Sequence, residues 1–454
     1  MTNQPPPLRA VDVRGLPAVP GLDALAEELA GEPRDWARLA NEQPPALTDG
    51  EVQFHPAWDA LLALGRRERL DRRGSYVERA ARFVALSQVE QGVGCPLSMT
   101  HAAQAIVDVP EGRLVGMSMT ERQGGSDVRT NELEARPAGD GVATLHGEKW
   151  FCSAPMSDAF LVLAQAPGGL SCYLVERGDG FVVERLKSKL GNRSNASAEI
   201  RFDGASGTLV GEEGRGVAAI IEMFVHTRLD CVLGSAALMR EATAQALHWC
   251  AGRVAFGRLL VDQPLMQNVL ADLVVETQAA TAAAVRLAHA FERDEPVRRI
   301  ATAVLKYWVC KRTPLVVGEA LECLGGNGYV EDSSDLPRLY RESPLNAIWE
   351  GSSNVQCLDV LRALRREPEQ AEAFLAELAA EDRARAERAL AEADETGARR
   401  LVETLAVALQ ASLLEGDVAE AFRAREQFGA LGTLPPGLPL ERIVREGFAP
   451  RATR

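Results

Sequence analysis

The sequence predicts an α+β protein that is mostly helical, with a β-barrel or sandwich between two helical regions. Three observations support this prediction: apolar residues repeat at helical spacing over 22–110, short strand-like runs separated by turn clusters fill 114–216, and long amphipathic stretches follow. Because helices and strands are segregated along the chain, an alternating βαβ sheet is excluded.

The elements divide the chain into five predicted regions. The Pro-rich residues 1–20 are expected to be flexible. They are followed by an N-terminal helical domain (21–113), a β domain (114–215), a C-terminal helical bundle (216–364) and a helical tail (365–454). The apolar stripe Leu22, Leu25, Ala26 and Leu29 is typical of an amphipathic helix and lies in the N-terminal helical domain.

Within the β domain, strands are predicted at 143–146, 159–164, 171–175, 181–186 and 198–202. The last strand alternates, so Ile200 and Phe202 should point inward and Glu199, Arg201 and Asp203 outward. Helices are predicted over 217–250, 264–293, 297–312 and 314–324, and another begins at 352–354. The tail is predicted to hold two or three charged helices and a turn at 433–439.

The composition excludes several classes of function. The 454 residues are 46% hydrophobic and carry a net charge of −14, which excludes a generally basic nucleic-acid binder but not a local basic face. We expect a cytoplasmic protein without a membrane span or secretory signal, because no run of 18 apolar residues and no apolar signal core occur. Only five of the 50 basic residues are lysines, so clustered arginines indicate phosphate binding less strongly than usual.

The cysteines and histidines do not indicate a metal site. No two of the eight cysteines have CxxC spacing, and the six histidines form no HxxxH pair. We therefore expect neither a bound metal nor a redox dithiol, and we expect the cysteines to be buried thiols.

Two segments of the β region could contact a flat polar ligand. Residues 117–127 (MSMTERQGGSD) place two glycines among hydroxyl residues, which lets backbone N–H groups approach a ligand closely. Residues 147–153 (GEKWFCS) place aromatic rings and Ser153 at a strand, where the rings could stack on a ring system. Taken alone, each segment favours the simpler interpretation, a tight turn for the first and a core strand for the second.

Three later segments carry weaker signals. The run RVAFG at 253–257 offers an arginine that could clamp a pyrophosphate, and ECLGGNGY at 322–329 is compatible with a Gly-terminated helix. In IWEGSSN at 348–354, apolar neighbours would raise the pKa of the Glu350 carboxyl, which suits a base that removes a proton from carbon. The alternative is an acid placed before a helix N-terminus.

In this order and spacing, the five segments resemble the acyl-CoA dehydrogenase flavoprotein family over about 114–364. The family signatures correspond to MTERQGGSD at 119–127, ECLGGNGY at 322–329 and IWEGSSN at 348–354. The blocks KWFCSAP, KLGNRSNAS and LPRLYRESP are similar to the AidB-like branch, which is associated with the adaptive response to alkylation. The resemblance implies an acyl-CoA dehydrogenase-like fold and non-covalently bound FAD.

The resemblance also implies roles for individual residues. Two groups of residues would contact FAD. The first would line the flavin ring, and the second would contact the adenine-side half of FAD or the part of FAD next to the catalytic base. The first is Met117, Met119, Thr120, Gly125, Ser126, Phe151, Cys152 and Ser153, and the second is Arg253, Phe256, Glu322, Gly325, Gly326, Ser352 and Asn354. Thr120, Ser126, Ser153 and Arg228 would also serve the acyl-CoA thioester substrate.

Glu350 corresponds to the family's catalytic base, which removes the proton α to the thioester while the β hydride passes to the flavin. A few members place the base on an earlier helix, but the corresponding residue here is Thr227, which cannot serve. The resemblance further implies a homotetramer, a dimer of dimers.

The sequence departs from the family pattern at several places. Only residues 107–115 fill a gap that is normally longer, one extra residue lies at 333–335, and Phe151 replaces the usual Trp. The short segment at 107–115 would shorten a wall of the acyl pocket or a subunit contact. The change to Phe151 would alter the ring that packs on the flavin.

Double-stranded DNA binding is the second function that the AidB-like branch implies. From position 362 onward the chain has 14 arginines, no lysine and 17 acidic residues, so the tail carries a net charge of −3 and opposes phosphate binding unless arginines segregate. Arg362, Arg365 and Arg366 form the best cluster, and the alternative is a solvated helix end. Two further readings stay open: a catabolic short- or branched-chain acyl-CoA dehydrogenase, and a DNA-associated flavoprotein with little enzymatic activity.

Overall fold

A computed structural model of the chain describes residues 5–425, 428–429, 431, 434–435 and 437–448. It confirms the predicted class, because helices, then strands, then helices follow one another along the chain. The residues divide into two compact units: a sheet unit (32–74 and 90–230) and a helical unit (1–31, 75–89 and 231–454). The predicted domain boundaries do not coincide with these units and stay predictions.

The helices and strands have the following bounds. The helices are α1 (Leu22–Leu29), α2 (Glu32–Glu42), α3 (Pro56–Arg67), α4 (Tyr76–Val89), α5 (Gly94–Ala103), α6 (Gly216–Gly252), α7 (Pro264–Glu292), α8 (Arg298–Cys323), α9 (Gly326–Tyr329), α10 (Leu336–Glu342), α11 (Ser353–Arg366), α12 (Pro368–Ala376), α13 (Ala380–Glu392), α14 (Ala398–Leu413), α15 (Gly416–Arg423) and α16 (Leu440–Phe448). The strands are β1 (Ala46–Thr48), β2 (Glu51–Gln53), β3 (Val115–Ser118), β4 (Glu134–Gly139), β5 (Val142–Ser153), β6 (Ala159–Ala166), β7 (Gly169–Glu176), β8 (Phe181–Leu186), β9 (Ser197–Val210), β10 (Val254–Ala255) and β11 (Arg258–Leu259).

The central strands of the sheet unit close into a barrel. β4 pairs with β5, β5 with β9, β9 with β7, β7 with β6, and β6 returns to β4 at Glu134 and Gln165. β3 adds to β6 in parallel and β8 adds to β9. Closure removes the unpaired edges that an open sheet of this size would expose.

The barrel core is aromatic and follows the predicted alternation. The rings of Phe160 and Phe181 stack with centroids 4.8 Å apart, and Phe202 meets Phe181 edge-on at 5.5 Å. Ile200 and Phe202 are buried whereas Asp203 is exposed, as the period-two pattern of that strand predicted.

All five predicted strands are present, but others were missed. β4 contains Pro137 and charged residues, which hide its alternation. β1 and β2 form a hairpin inside the region predicted to be helical, and its turn is Asp49–Gly50 with φ values of 53° and 80°. An Asp-Gly pair between short strands is a strong hairpin signal that could have been recognised.

One predicted helix boundary was wrong. We expected separate helices over 297–312 and 314–324, because proline interrupts helices. α8 instead runs continuously through Pro314, and most of its residues around that point are buried. Tertiary packing therefore outweighs the local cost of the proline.

The N-terminal segment, for which flexibility is predicted, makes specific contacts with α4 and α6 at Asp12. Asp12 forms an ion pair with the buried Arg240 on α6 at 3.0 Å, and its backbone N–H and carbonyl bond to the Gln88 side chain. Composition predicted flexibility because it cannot reveal a single buried arginine that binds one aspartate and two backbone carbonyls.

The tail is part of the helical core. Its described residues form five helices (α12–α16) rather than two or three, and the predicted turn at 433–439 lies partly outside the described residues. α14 and α16 pack against α7, and α14 also packs against α8. Arg425 pairs with Asp272 and with Glu276 (2.6 Å) on α7, and Glu276 also pairs with Arg312 of α8 at 2.9 Å.

Two further features bear on class. The eight cysteines are free and buried, which confirms that expectation. Among the described residues, no helix combines the length and hydrophobicity that crossing a bilayer requires.

The buried tail network yields a stability prediction. Arg425→Leu leaves the Asp272 carboxylate buried with its cation removed, so we expect the free energy of unfolding to fall by about 3–5 kcal/mol. Arg423→Leu is the matched control, because the Arg423 side chain is 44% exposed and its 3.3 Å ion pair with Asp382 should contribute less than about 1 kcal/mol. Urea unfolding followed by circular dichroism measures both, and equal losses would contradict the network's role.

Candidate active site

The strands β3 and β5 build a platform at one face of the sheet unit. Thr120 lies opposite Phe151 in an antiparallel bridge, and the Trp150 N–H donates to the Thr120 carbonyl at 2.8 Å. Because side chains alternate along a strand, Phe151 and Ser153 share a face with Thr120. The Phe151 ring is 50% exposed, while Thr120 and Ser153 are half-buried.

The opposite face of this ribbon belongs to the core. Cys152 is fully buried in the barrel core, and burial raises the pKa of its thiol to about 12. The side chains of Met117 and Met119 are also buried. These three predicted cofactor residues can therefore offer a ligand on the platform only their backbone atoms.

The loop after β3 is held by a buried ion pair that the sequence did not reveal. Lys149 Nζ lies 2.6 Å from the Glu121 carboxylate, with both side chains almost completely buried. The same carboxylate accepts the backbone N–H groups of Glu132 (2.6 Å) and Leu133 (3.2 Å). Burial lowers the pKa of Lys149 to about 8, against the attraction of Glu121. The Glu121 carboxylate, held by Lys149, therefore joins the start of the Gly-rich loop between β3 and β4 to its end.

Within that loop, Gly125 packs closely on the platform. A Cβ at Gly125 would lie 2.5 Å from Thr120 Oγ1, so a side chain there would displace the hydroxyl. Ser126 is exposed beside it. The combination of an exposed aromatic ring, hydroxyls on the same face and a Gly-rich loop fits a flat ring with a polar edge, as in the isoalloxazine of FAD.

Cations lie beside the platform. Lys187 Nζ is 3.1 Å from the centre of the Trp150 ring and 4.8 Å from that of Phe151. Lys189 donates to the Ser197 hydroxyl at 3.1 Å, and Ser197 Oγ lies 3.5 Å from Ser153 Oγ. Lys187 is also paired with Glu199 at 2.7 Å, so Lys189 is the cation of the two that adds positive charge next to the hydroxyls that are expected to meet the cofactor.

Arg228 and Thr227 lie on α6. Arg228 is half-buried, with its guanidinium 6.0 Å from the centre of the Phe224 ring. Thr227 is buried and donates its hydroxyl to the Phe224 carbonyl at 3.3 Å. Its hydroxyl therefore satisfies the helix backbone, consistent with the expectation that position 227 supplies no base.

In the helical unit, Glu350 lies in a strained turn between Leu345–Ala347, a short 3-10 helix, and α11. Its φ of 59° is in the left-handed region, which costs a non-glycine residue about 1–2 kcal/mol, and Gly351 follows at 95°. Such conformations persist only where the surroundings enforce them, and they are concentrated at functional sites.

Side chains from two helices enforce this turn. Lys306 of α8 donates to the Trp349 carbonyl at 2.7 Å and to the Gly351 carbonyl. Gln356 of α11 donates to the carbonyls of Glu350 (3.1 Å) and Gly351 (3.0 Å). Neither side chain was singled out from the sequence, although Lys306 is one of only five lysines.

The residues after the turn lead into α11. Ser352 is its N-cap position and makes no side-chain capping bond. The Asn354 side-chain oxygen accepts from Arg399 Nε of α14 at 2.8 Å. A tail residue therefore contacts a side chain that the family pattern assigns to the cofactor.

The other predicted cofactor residues of the helical unit lie on exposed turns. Phe256 and Gly257 form the two-residue turn between β10 and β11, with φ values of 51° and 81°, and the Phe256 side chain is 96% exposed. The backbone of Arg253 closes this hairpin by accepting from the Leu260 N–H at 2.9 Å. Glu322, Gly325 and Gly326 are exposed at the end of α8.

The structure thus assembles two clusters, each within its own unit. One unites Thr120, Gly125, Ser126, Phe151 and Ser153, and the other unites Glu350 with Ser352 and Asn354 on one turn. Among the described residues, no group of His, Cys, Asp and Glu is arranged to hold a metal ion.

The family of the chain is shown by comparison with known proteins. Three family models match: the adaptive response protein AidB N-terminal domain over residues 19–115, the acyl-CoA dehydrogenase middle domain over 116–205 and the acyl-CoA dehydrogenase C-terminal domain over 214–365. AidB of Escherichia coli (strain K12) is 42% identical, in an alignment that covers 76% of this chain and 74% of that protein.

Two solved structures are similar in fold. The apo form of Bd2924 has a TM-score of 0.79 at 27% identity and covers 88% of this chain and 94% of that one. Caenorhabditis elegans ACDH-11 in complex with C11-CoA has a TM-score of 0.80 at 24% identity, covering 96% and 88%. Together with the family models, these similarities show that the chain belongs to the acyl-CoA dehydrogenase family of FAD-binding flavoproteins, with AidB among its relatives.

Proposed function

We propose that this protein is an FAD-dependent acyl-CoA dehydrogenase in which Glu350 removes the proton α to the thioester. The observation that carries the proposal is the turn at Glu350. There the backbone of an acidic residue is held in a strained left-handed conformation, at the position of the family's base. A CoA thioester as substrate is supported by the fold neighbour ACDH-11, whose structure contains C11-CoA.

In this mechanism the chain binds, orients and takes a proton. The Glu350 carboxylate accepts the α proton, and the backbone N–H of Glu350 donates to the thioester carbonyl, where negative charge develops. When bound, FAD supplies the acceptor for the hydride from the β carbon. Arg228 is proposed to orient the substrate.

Two sets of residues are proposed to hold FAD. On the platform, Phe151 would pack on the ring system, and Thr120, Ser126 and Ser153 would donate hydrogen bonds to polar atoms of the cofactor. The residues proposed for the remainder of the cofactor are Arg253, Phe256, Glu322, Gly325, Gly326, Ser352 and Asn354.

A homotetramer in the cytoplasm remains our expectation. Several large apolar side chains of the helical unit are exposed, including Phe256, Leu265, Tyr329 and Tyr340. Exposed apolar groups in this number favour burial against other copies of the chain.

DNA binding is a second candidate function, with weaker support. Arg362, Arg365 and Arg366 are all exposed at the end of α11. Arg362 is paired with Asp359 at 2.5 Å, however, and Arg365 donates to the Ala393 carbonyl at 2.7 Å. Partial neutralisation lowers the number of counterions that binding could release. An AidB-like dehydrogenase and a catabolic acyl-CoA dehydrogenase would differ in whether these three arginines bind DNA.

Glu350→Gln tests the assignment of the base. The variant should retain FAD but reduce the rate of anaerobic flavin bleaching by acyl-CoAs by about 10²–10⁴-fold, because the amide cannot accept the proton. A panel of straight and branched acyl-CoAs should be used, with Glu369→Gln, an exposed change on α12, as the control. Bleaching by Glu350→Gln at the control's rate would reject Glu350 as the base.

Gly125→Ala tests the platform as the flavin site. The added methyl displaces the Thr120 hydroxyl, so FAD should bind about tenfold more weakly, which corresponds to one lost hydrogen bond of about 1.4 kcal/mol. FAD titration by fluorescence quenching measures the change. Gly178→Ala is the control, since a Cβ there meets no atom within 4 Å. Equal affinities for both variants would argue against this site.

Substituting Arg362, Arg365 and Arg366 together by Gln tests DNA binding. If these residues contact phosphates, the slope of log affinity against log salt for a duplex should fall by roughly 2–3. The matched control replaces Arg385, Arg388 and Arg400, which are exposed on other tail helices. Point substitutions are preferable to deletion of 365–454, because deletion would remove the buried partners of α7 and α8. Equal slopes in the two triple variants would remove these arginines from the DNA hypothesis.

A further inference from the structure

Lys306 is a buried cation that the proposed mechanism does not yet use. Its side chain is 1% exposed, at the centre of α8. Both of its hydrogen bonds within the described residues end on peptide carbonyls, those of Trp349 and Gly351, on either side of Glu350. Burying an ammonium group is costly, so its placement against this turn requires an explanation.

Lys306 does not act on the turn alone. Gln356 is fully buried and binds the carbonyls of Glu350 and Gly351. Three successive carbonyls, from 349 to 351, are therefore held by two side chains. A Lys fits this task because its ammonium is compact and its three donors can rotate toward separate oxygens, whereas the planar fork of Arg suits one carboxylate.

The direction of these carbonyls determines the direction of the neighbouring N–H groups. Every peptide bond of the described chain is trans, and in a trans peptide the N–H points opposite to the C=O. Since the Trp349 carbonyl points to Lys306 Nζ, the Glu350 N–H points away from Lys306. A charged donor on the carbonyl also polarises the amide and strengthens the N–H as a donor.

From this geometry we infer that Lys306 is a positioning residue for the dehydrogenation. It aims and polarises the Glu350 N–H toward the thioester carbonyl, and it fixes the backbone from which the Glu350 carboxylate projects. The inference rests on the proposed function, because it requires that Glu350 is the base and that negative charge develops on the thioester carbonyl.

The test compares Lys306→Met and Lys306→Gln with Lys311→Met. Met keeps the length of the side chain without donors, and Gln is a shorter neutral donor that guards against misfolding of the Met variant. Lys311 lies on the same helix but is exposed and outside the site. Each variant is measured for FAD content, backbone amide hydrogen exchange at 349–352 and anaerobic flavin reduction by the acyl-CoA that bleaches the wild type most strongly.

We expect both Lys306 variants to keep FAD and to exchange amide hydrogens at 349–352 at least about tenfold faster than Lys311→Met. The limiting rate of flavin reduction should fall about 100-fold while the acyl-CoA concentration for half-maximal reduction changes little, because misplacement affects the transition state more than binding. A bound thioester analogue should also lose part of the downward shift of its carbonyl stretching frequency, and Glu350→Gln should retain that shift.

Several results would overturn the inference. Unchanged exchange at 349–352 would show that Lys306 does not hold the turn. Faster exchange with a wild-type reduction rate and carbonyl frequency would leave Lys306 as a purely structural residue. If no acyl-CoA reduces the wild-type flavin, the proposed function fails instead, and the exchange measurement still decides whether Lys306 holds the turn. The two failures are therefore distinguishable.

Discussion

Buried ammonium groups hold the backbone of both candidate clusters in place. Lys149 binds Glu121 and so closes the Gly-rich loop of the sheet unit, while Lys306 binds the carbonyls around Glu350 in the helical unit. In each case the cation is buried away from water, so few other groups compete for its hydrogen bonds. These bonds are therefore strong and fix the direction of the groups that they bind. These two contacts help to hold the loop beside the platform and the turn at Glu350.

The scarcity of lysine gains meaning from this arrangement. Among the described residues arginine serves for nearly every surface ion pair, yet four of the five lysines lie at or beside the two clusters. Lys149 binds Glu121, Lys187 lies near the Phe151 ring, Lys189 binds Ser197 and Lys306 binds the Trp349 carbonyl. A compact ammonium can bind carbonyls and hydroxyls from several directions, which a planar guanidinium cannot do in the same space. The rarity of lysine was visible in the sequence, but the roles of the individual lysines become clear only when their partners in the structure are known.

The sequence predicted the class, the order of elements and the segments that form the site, because periodicity and local motifs are short-range properties. The five predicted strands, four of which (β5, β6, β7 and β9) belong to the closed barrel, and the helix start at 352–354 belong to this group. Features that depend on distant partners were missed: the anchoring of Asp12 by Arg240, the passage of α8 through Pro314, and the side chains that hold the Glu350 turn. Cys152 shows the same limit within a motif, since its neighbours face the platform and its own side chain faces the core. The roles of the site residues and the use of the tail arginines stay predictions.

The eight buried cysteines have a practical consequence. Thiolate is the reactive form, and burial raises the pKa of Cys152 and Cys172 to about 12 and of Cys357 to about 11, so these thiols should react slowly with maleimides while the protein is folded. A single cysteine introduced on the surface could then be labelled selectively without first removing the native ones. A label on the barrel or on α14 would then report changes in the surroundings of that element as flavin and thioester bind.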